Sequence, residues 1–399
     1  MKNAIGRSFP SAVLNQFKLT MVVLASLFVI ACSVAQNTEN ELEVPSDEGI
    51  YVLDFEYGQA TLTDFKRHFF TTFPHSDPTE GNVIYDRAQW SNDNMLSQAK
   101  NKPLQLFIKQ TNDPLMFDSV RATSKAFYNV EGSANQLLFV FKGKLPSGNA
   151  IWPAWWLNGS YQNEWIYNGQ SQATDGSLDA YSGVGNYYDT PSAVNSTDWP
   201  SAGEVDIIEN INGQKVIHNT LHTCPQMYDS TWNNTNQITN CANGKSTDPN
   251  AGCTGTPYQV SEPAGTFAAL WSQNSIEFFY WDMDQNVRQL GGPLSEKPDP
   301  EQWRATHRKN LVQLLPTEHV CIDDIHQPWQ CKNCQASETK KLANLKMIFN
   351  ITLCGKWAGA EFDDTASSLA NCEAYIAKQG AELIDSQYIR IDYLAVRKL

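Results

Sequence analysis

Three carboxylates, Glu204, Asp206 and Glu209, stand close together in the stretch WPSAGEVDIIENIN, residues 199–212. Val205, Ile207 and Ile208 lie between them. β-Branched residues alternating with acids predict a strand with one polar face. Residues two apart on a strand point the same way, so Glu204 and Asp206 share a face. Glu209 comes an odd number of positions after Glu204, and a regular strand would turn it to the other side. One extra residue, a β-bulge around Ile207 and Ile208, restores the parity and lines up all three acids. Crowded carboxylates repel, which is costly for a merely structural strand. Glycoside hydrolysis with retention gives a reason to keep them: one carboxylate attacks, and one carboxylic acid, roughly 5 Å away, donates a proton. A third acid between them can hydrogen-bond the attacking group and help hold the two titrations apart. The alternative reading is a solvated acidic face.

Such a strand needs a sheet to hold it. From residue 50 onward, short apolar runs alternate with Gly, Pro, Asn and Asp, at 104–108, 136–141, 203–208, 266–271, 275–281, 345–353 and 387–396. This spacing predicts an all-β sandwich. Helix is expected only in short pieces, for example around 374–381. Three polar segments, 159–198, 224–255 and 291–341, look like insertions. Asp282 and Asp284 in YWDMDQ raise calcium as a possibility, but no Gly-punctuated ligand loop follows, so they are assigned to a turn and no metal is expected.

The 399 residues carry 29 Lys and Arg against 43 Asp and Glu, a net charge of -14. That balance argues against nucleic acid and anionic membrane surfaces as partners and suits a neutral polysaccharide. Twelve Trp and fifteen Tyr supply flat rings of the kind that cover sugar C–H faces. Lys2, Arg7 and Lys18 precede an apolar run at 19–31, and Ser33-Val34-Ala35 fits a signal-peptidase site. The expected organisation is a signal peptide at 1–35, a flexible lead-in at 36–49 and one domain at 50–399. An uncleaved anchor, or a lipidated Cys32, is the alternative. Of nine Cys, eight remain after the leader: Cys224, Cys241, Cys253, Cys321, Cys331, Cys334, Cys354 and Cys372. An even number in an exported chain points to disulfides. Sequons at Asn158, Asn195, Asn233 and Asn350 are candidate glycosylation sites.

WPSAGEVDIIE followed by TLHT (220–223), WPAWW (152–156), LCGKWAG (353–359) with Cys372 behind it, and a closing YIRIDYLAV strand resemble the laminarinase-like branch of glycoside hydrolase family 16. The likeness runs from about Asp54 to the C-terminus. It implies a β-jelly roll of two curved antiparallel sheets with a sugar cleft on the concave face. It implies Glu204 as nucleophile, Asp206 as electrostatic helper and Glu209 as general acid/base. It places Trp156, Trp199 and Trp357 as substrate-binding aromatics, His222 as a partner of the acids or of a sugar hydroxyl, and a Cys354–Cys372 bridge behind Trp357. The remaining Trp residues, Trp152 and Trp155 among them, are assigned to the core or left open.

The reading is a secreted, monomeric, retaining endo-β-glucanase acting on β-1,3- or mixed β-1,3/1,4-glucan, with no cofactor. Two rivals share the residues: a transglycosylase, in which a sugar replaces water as acceptor, and a glucan-binding recognition protein. Relatives of the second kind have lost one or both glutamates, and this chain keeps all three acids.

Overall fold

Two antiparallel sheets face each other across one large apolar core. The smaller sheet carries the acids. Its strands are β1 (Phe69–Phe70), β2 (Arg121–Ser124), β3 (Ile151–Asn158), β4 (Glu204–Glu209), β5 (Val216–His222), β6 (Cys253–Thr254) and β7 (Lys346–Leu353). Their spatial order is β6–β5–β4–β3–β7–β2–β1, with Tyr258–Gln259 added beside β5. The opposing sheet is built from Gln136–Lys144, Ala264–Ser272, Ser275–Asp282, Arg308–Pro316 and Tyr388–Lys398, extended by shorter strands at both edges. The chain is thus the all-β sandwich that the pattern of short apolar runs implied, in the jelly-roll form that the resemblance implied. This computed structural model describes residues 51–56, 65, 68–70, 75–85, 96–97, 103–124, 126, 128–130, 135–158, 166–167, 170–171, 203–222, 228–232, 238–240, 252–316, 342, 345–384 and 387–399. All of them fall in one compact unit, Val44–Leu399. The leader, the lead-in and most of the segments 159–198 and 224–255 lie outside the described residues.

Alternation decides which side chains meet between the sheets. From the smaller sheet come Trp155, Leu157, Val205, Ile207, Ile208, Met347, Phe349 and Ile351; from the other come Phe139, Phe141, Phe267, Ala269 and Phe278. Phe141 sits at the centre, 5.5 Å from both Trp155 and Phe349 and 6.0 Å from Phe267 between ring centroids. Aromatic contacts of this kind add to plain burial.

The large sheet also has a buried outer face. Val287, Leu294 and Trp303 pack there on Leu138, Val140, Ala268, Leu270, Phe279 and Trp281. Trp303 belongs to α1, Pro300–Arg304, whose first turn is capped by Asp299 accepting from the Glu301 N–H. Arg304 and Arg308 clamp the buried Glu277 carboxylate, with Nη2 of Arg304 at 2.7 Å and Nη1 of Arg308 at 2.9 Å. The first part of the supposed insertion at 291–341 is therefore a cover for an apolar face. Asp282 ends its strand, and its carbonyl accepts from the Gln285 N–H at 3.0 Å in the turn that follows.

Helix is more extensive than the short piece expected. α2 runs over Ser368–Ile384. Its entry is tied by Ser368 Oγ, which donates to the Gly359 carbonyl at 2.8 Å, and by Asn371, which donates to Asp363 Oδ2 at 2.8 Å. Cys372 in its first turns is joined to Cys354 at the end of β7, as the resemblance implied. Cys253 is also disulfide-bonded, to a partner outside the described residues.

Candidate active site

β4 lies between β3 and β5, and its register carries the bulge. Against β3, Glu204 opposes Asn158 and Asp206 opposes Trp156, but the next pair is Ile208 with Trp155. Ile207 is the added residue. Against β5, Asp206 opposes Thr220 and Glu209 opposes His218, three steps on one strand for two on the other. Ile207 and Ile208 both enter the core, at 2% and 0% exposure. The three acids consequently emerge together on the face turned away from it, where the parity argument required them.

Burial differs along this row. Glu204 is half-buried, whereas Asp206 and Glu209 are buried. Desolvation raises Asp206 well above the usual carboxylate range. Glu209 is pushed up to about 8, first by burial and then by the neighbouring Asp206 charge; His222 and hydrogen bonds from Trp152 and Thr220 pull the other way. The Trp152 Nε1–H donates to Glu209 Oε1 at 3.1 Å, and Thr220 Oγ1 donates to Oε2 at 3.4 Å. At the other end, His222 Nε2 lies 3.2 Å from Asp206 Oδ2 and 3.7 Å from Glu204 Oε1. The 3.2 Å approach is close but poorly directed, and Asp206 Oδ2 makes no hydrogen bond. The imidazole is fixed from behind by Gly252, at φ +55°, where any Cβ would fall 2.6 Å from Nδ1.

Aromatic residues wall the row. Trp357 is half-buried in a π-helical turn, Gly355–Gly359. Trp152 meets its ring edge-on with centroids 5.4 Å apart, and His218 does so at 5.0 Å. This cluster stands beside Glu209. Trp156 opposes Asp206, but only 9% of it is exposed. The Arg121 guanidinium carbon sits 4.8 Å over its ring, and its Nε1–H donates to Asn350 Oδ1 at 2.7 Å. Trp156 is thus a braced wall rather than an open platform. Trp199 lies outside the described residues.

Residues that the sequence did not single out as part of the site complete this face. Asn350 Nδ2 donates to the Tyr85 hydroxyl at 3.0 Å, Tyr85 hydrogen-bonds Thr352, and Thr352 Oγ1 donates to Asp77 Oδ2 at 2.8 Å. Burial, with Asp77 adding to it, keeps the Tyr85 phenol above its ordinary range and so neutral. Trp152 was the most accessible omission: in a strand WPAWW, Trp152 and Trp156 share a face and Trp155 takes the other. Two glycosylation candidates need correcting. Asn158 is 8% exposed beside Glu204, and the Asn350 amide is committed to Trp156 and Tyr85. A glycan at either would fill the acid-bearing face, so the geometry gives both to the site instead. Asn195 and Asn233 lie outside the described residues.

Comparison with known proteins agrees with this geometry. The sequence matches the family described as XgeA-like, catalytic GH16 domain over residues 70–176 and 192–396. A protein of Arthroderma benhamiae named endo-1,3(4)-beta-glucanase is 24% identical over 370 residues, covering 87% of this chain and 64% of its own length. A probable endo-1,3(4)-beta-glucanase of Aspergillus niger is 24% identical over 213 residues, 50% of this chain and 25% of that one. The chain therefore spans between a quarter and two thirds of these relatives. The crystal structure of an elongating GH family 16 β-1,3-glucosyltransferase shares the fold, with a TM-score of 0.57, 21% identity, and coverage of 88% of this chain and 100% of that one.

Proposed function

The chain belongs to the XgeA-like GH16 catalytic domain family, and from that premise we propose that it is a secreted, retaining endo-β-glucanase acting on β-1,3- or mixed β-1,3/1,4-glucan. The observation that carries the proposal is the bulged strand. It sets Glu204 and Glu209 on one face and gives them unequal surroundings. Glu209, pushed up to about 8, keeps its proton at neutral pH and serves as the general acid. Glu204, less buried, serves as the nucleophile.

In the first step a Glu204 oxygen bonds to the anomeric carbon while the glycosidic C–O bond breaks. The Glu209 proton passes to the departing oxygen. Asp206, held toward its protonated form on the same face, can donate a hydrogen bond to the departing Glu204 carboxylate in the later step. In the second step the Glu209 carboxylate takes a proton from water, the water oxygen bonds to the anomeric carbon, and Glu204 is released. Trp357, Trp152 and His218 beside Glu209 border the leaving sugar; Trp156, braced by Asn350 and Arg121, borders the sugar being attacked.

The names of the relatives support the choice of glucan, and the basic leader with its even set of remaining cysteines supports secretion. The reducing ends released from laminarin and from a mixed-linkage glucan test the activity. A hydrolase raises them steadily. Unchanged ends with redistributed chain lengths would mean transfer to a sugar acceptor, and no change in either would mean a binder.

A further inference from the structure

The end of the acid row opposite Trp152 has a composition that sugar hydrolysis does not use up. Glu204, Asp206 and His222 each offer one ligand atom, and these atoms all lie within 4.8 Å of one another. His222 Nε2 is 3.2 Å from Asp206 Oδ2 and 3.7 Å from Glu204 Oε1. Around a tetrahedral zinc ion, with bonds of about 2.0–2.1 Å to nitrogen and oxygen, neighbouring ligand atoms stand roughly 3.4 Å apart. The two shorter separations already straddle that value. The remaining adjustment falls to Glu204, the least buried of the three acids. Asp206 adds an independent indication. It is 4% exposed, and its Oδ2, aimed into the cluster, makes no hydrogen bond. A buried carboxylate oxygen in that state is costly unless something electropositive satisfies it. The imidazole is held in place by the Gly252 backbone, so a metal would find two of its three ligands preset.

We propose that Glu204, Asp206 and His222 form a binding site for a transition-metal dication of the zinc and copper class, and that occupancy reversibly silences the enzyme. One imidazole and two carboxylates suit Zn2+ or Cu2+, whereas Ca2+ requires six to eight oxygens. A metal here would hold the proposed nucleophile and its helper at once, so it would compete with glucan. This competitive effect rests on the glucanase reading; the binding itself does not.

The test uses the untagged full chain, freed of metal by chelation. Titration calorimetry with Zn2+ should give one ion per chain, and Co2+ should produce the visible absorption bands of a four- or five-coordinate site. Ca2+ should give neither. His222→Ala and the isosteric Glu204→Gln should each weaken Zn2+ binding at least tenfold. His218→Ala, which removes an imidazole two rows along the same face, should leave it intact. Thermal unfolding confirms that each variant is folded. Saturating laminari-oligosaccharide should lower the apparent Zn2+ affinity. Absence of Zn2+ binding, or binding undiminished in both His222→Ala and Glu204→Gln, overturns the proposal. Metal binding in a chain with no action on any glucan would sustain the site and sink the glucanase reading instead.

Discussion

Replacing Trp152 by Phe isolates a single hydrogen bond to the proposed proton donor. Its Nε1–H lies 3.1 Å from Glu209 Oε1 and favours the ionised carboxylate. Phe keeps an aromatic edge toward Trp357 but has no donor. A hydrogen bond to a charged group contributes about 1.5–3 kcal/mol, and one to the neutral carboxyl about 1 kcal/mol. The difference, about 0.5–2 kcal/mol, corresponds to a rise of about 0.4–1.5 pH units in the Glu209 titration at 1.36 kcal/mol per unit. Since Glu209 starts at about 8, the alkaline limb of kcat/KM should move upward, toward about 9. Initial rates of reducing-end release from laminarin between pH 5 and pH 10 give that limb, and the acidic limb serves as an internal reference. Thr220→Val removes a longer contact of 3.4 Å and should move the limb in the same direction by less. If the alkaline limb of Trp152→Phe stays in place or moves down, Trp152 does not tune Glu209 and the reasoning fails.

Three further outcomes follow from the same geometry. Folding raises the Glu209 pKa from 4.5 to about 8, so between those values the folded chain holds a proton that the unfolded chain has released. Its contribution to stability is full below about pH 4.5 and is lost as pH rises toward 8. The ceiling is about 5 kcal/mol, which relaxation and water entry reduce to about 2–4 kcal/mol. Glu209→Gln should therefore gain stability over wild type as pH goes from 5 to 8 in urea unfolding, and parallel curves would count against the burial of a protonated Glu209. Non-reduced peptide maps should recover Cys354 linked to Cys372; breaking that loop, with its sequence separation of 18, should cost about 3 kcal/mol by the chain-entropy estimate, measured on Cys372→Ser. Trp357→Ala should weaken oligosaccharide binding by about 1–3 kcal/mol in calorimetry while the fold survives, and an unfolded variant with normal affinity per folded molecule would return Trp357 to a packing role.

What could be read from the chain was whatever depends on parity and local composition. GEVDIIE contains its own bulge, because a strand bearing Glu204 and Glu209 on one face must absorb one residue, and the doubled isoleucine is where it does so. What depends on register between distant strands was not legible. The sequon at Asn350 is a local pattern of three residues, whereas its role is set by Trp156, 194 positions away, and by Tyr85, 265 positions away. Arg121 reads as an ordinary charge until β2 is placed beside β7 and its guanidinium comes to lie over Trp156. The start of α2 was missed because its ties, Asp363 and Gly359, precede the helix in a turn rich in Asp, Thr and Ser. Part of 291–341 looked like an insertion because its apolar residues are widely spaced; they are brought together only on the outer face of the large sheet.

The assignment of Glu204 as nucleophile and Glu209 as acid/base is tested most directly by the anomer of the azide formed in two alanine variants. With an activated aryl β-glucoside, Glu209→Ala should still form the glycosyl-enzyme, since that leaving group needs little protonation, and should then stall. Azide requires no general base; it should restore turnover and yield the β-glycosyl azide. Glu204→Ala forms no covalent intermediate, and azide entering the vacated space should attack directly and yield the α-azide. Reversed anomers would exchange the two roles, and full activity in both variants would remove the acids from the chemistry altogether.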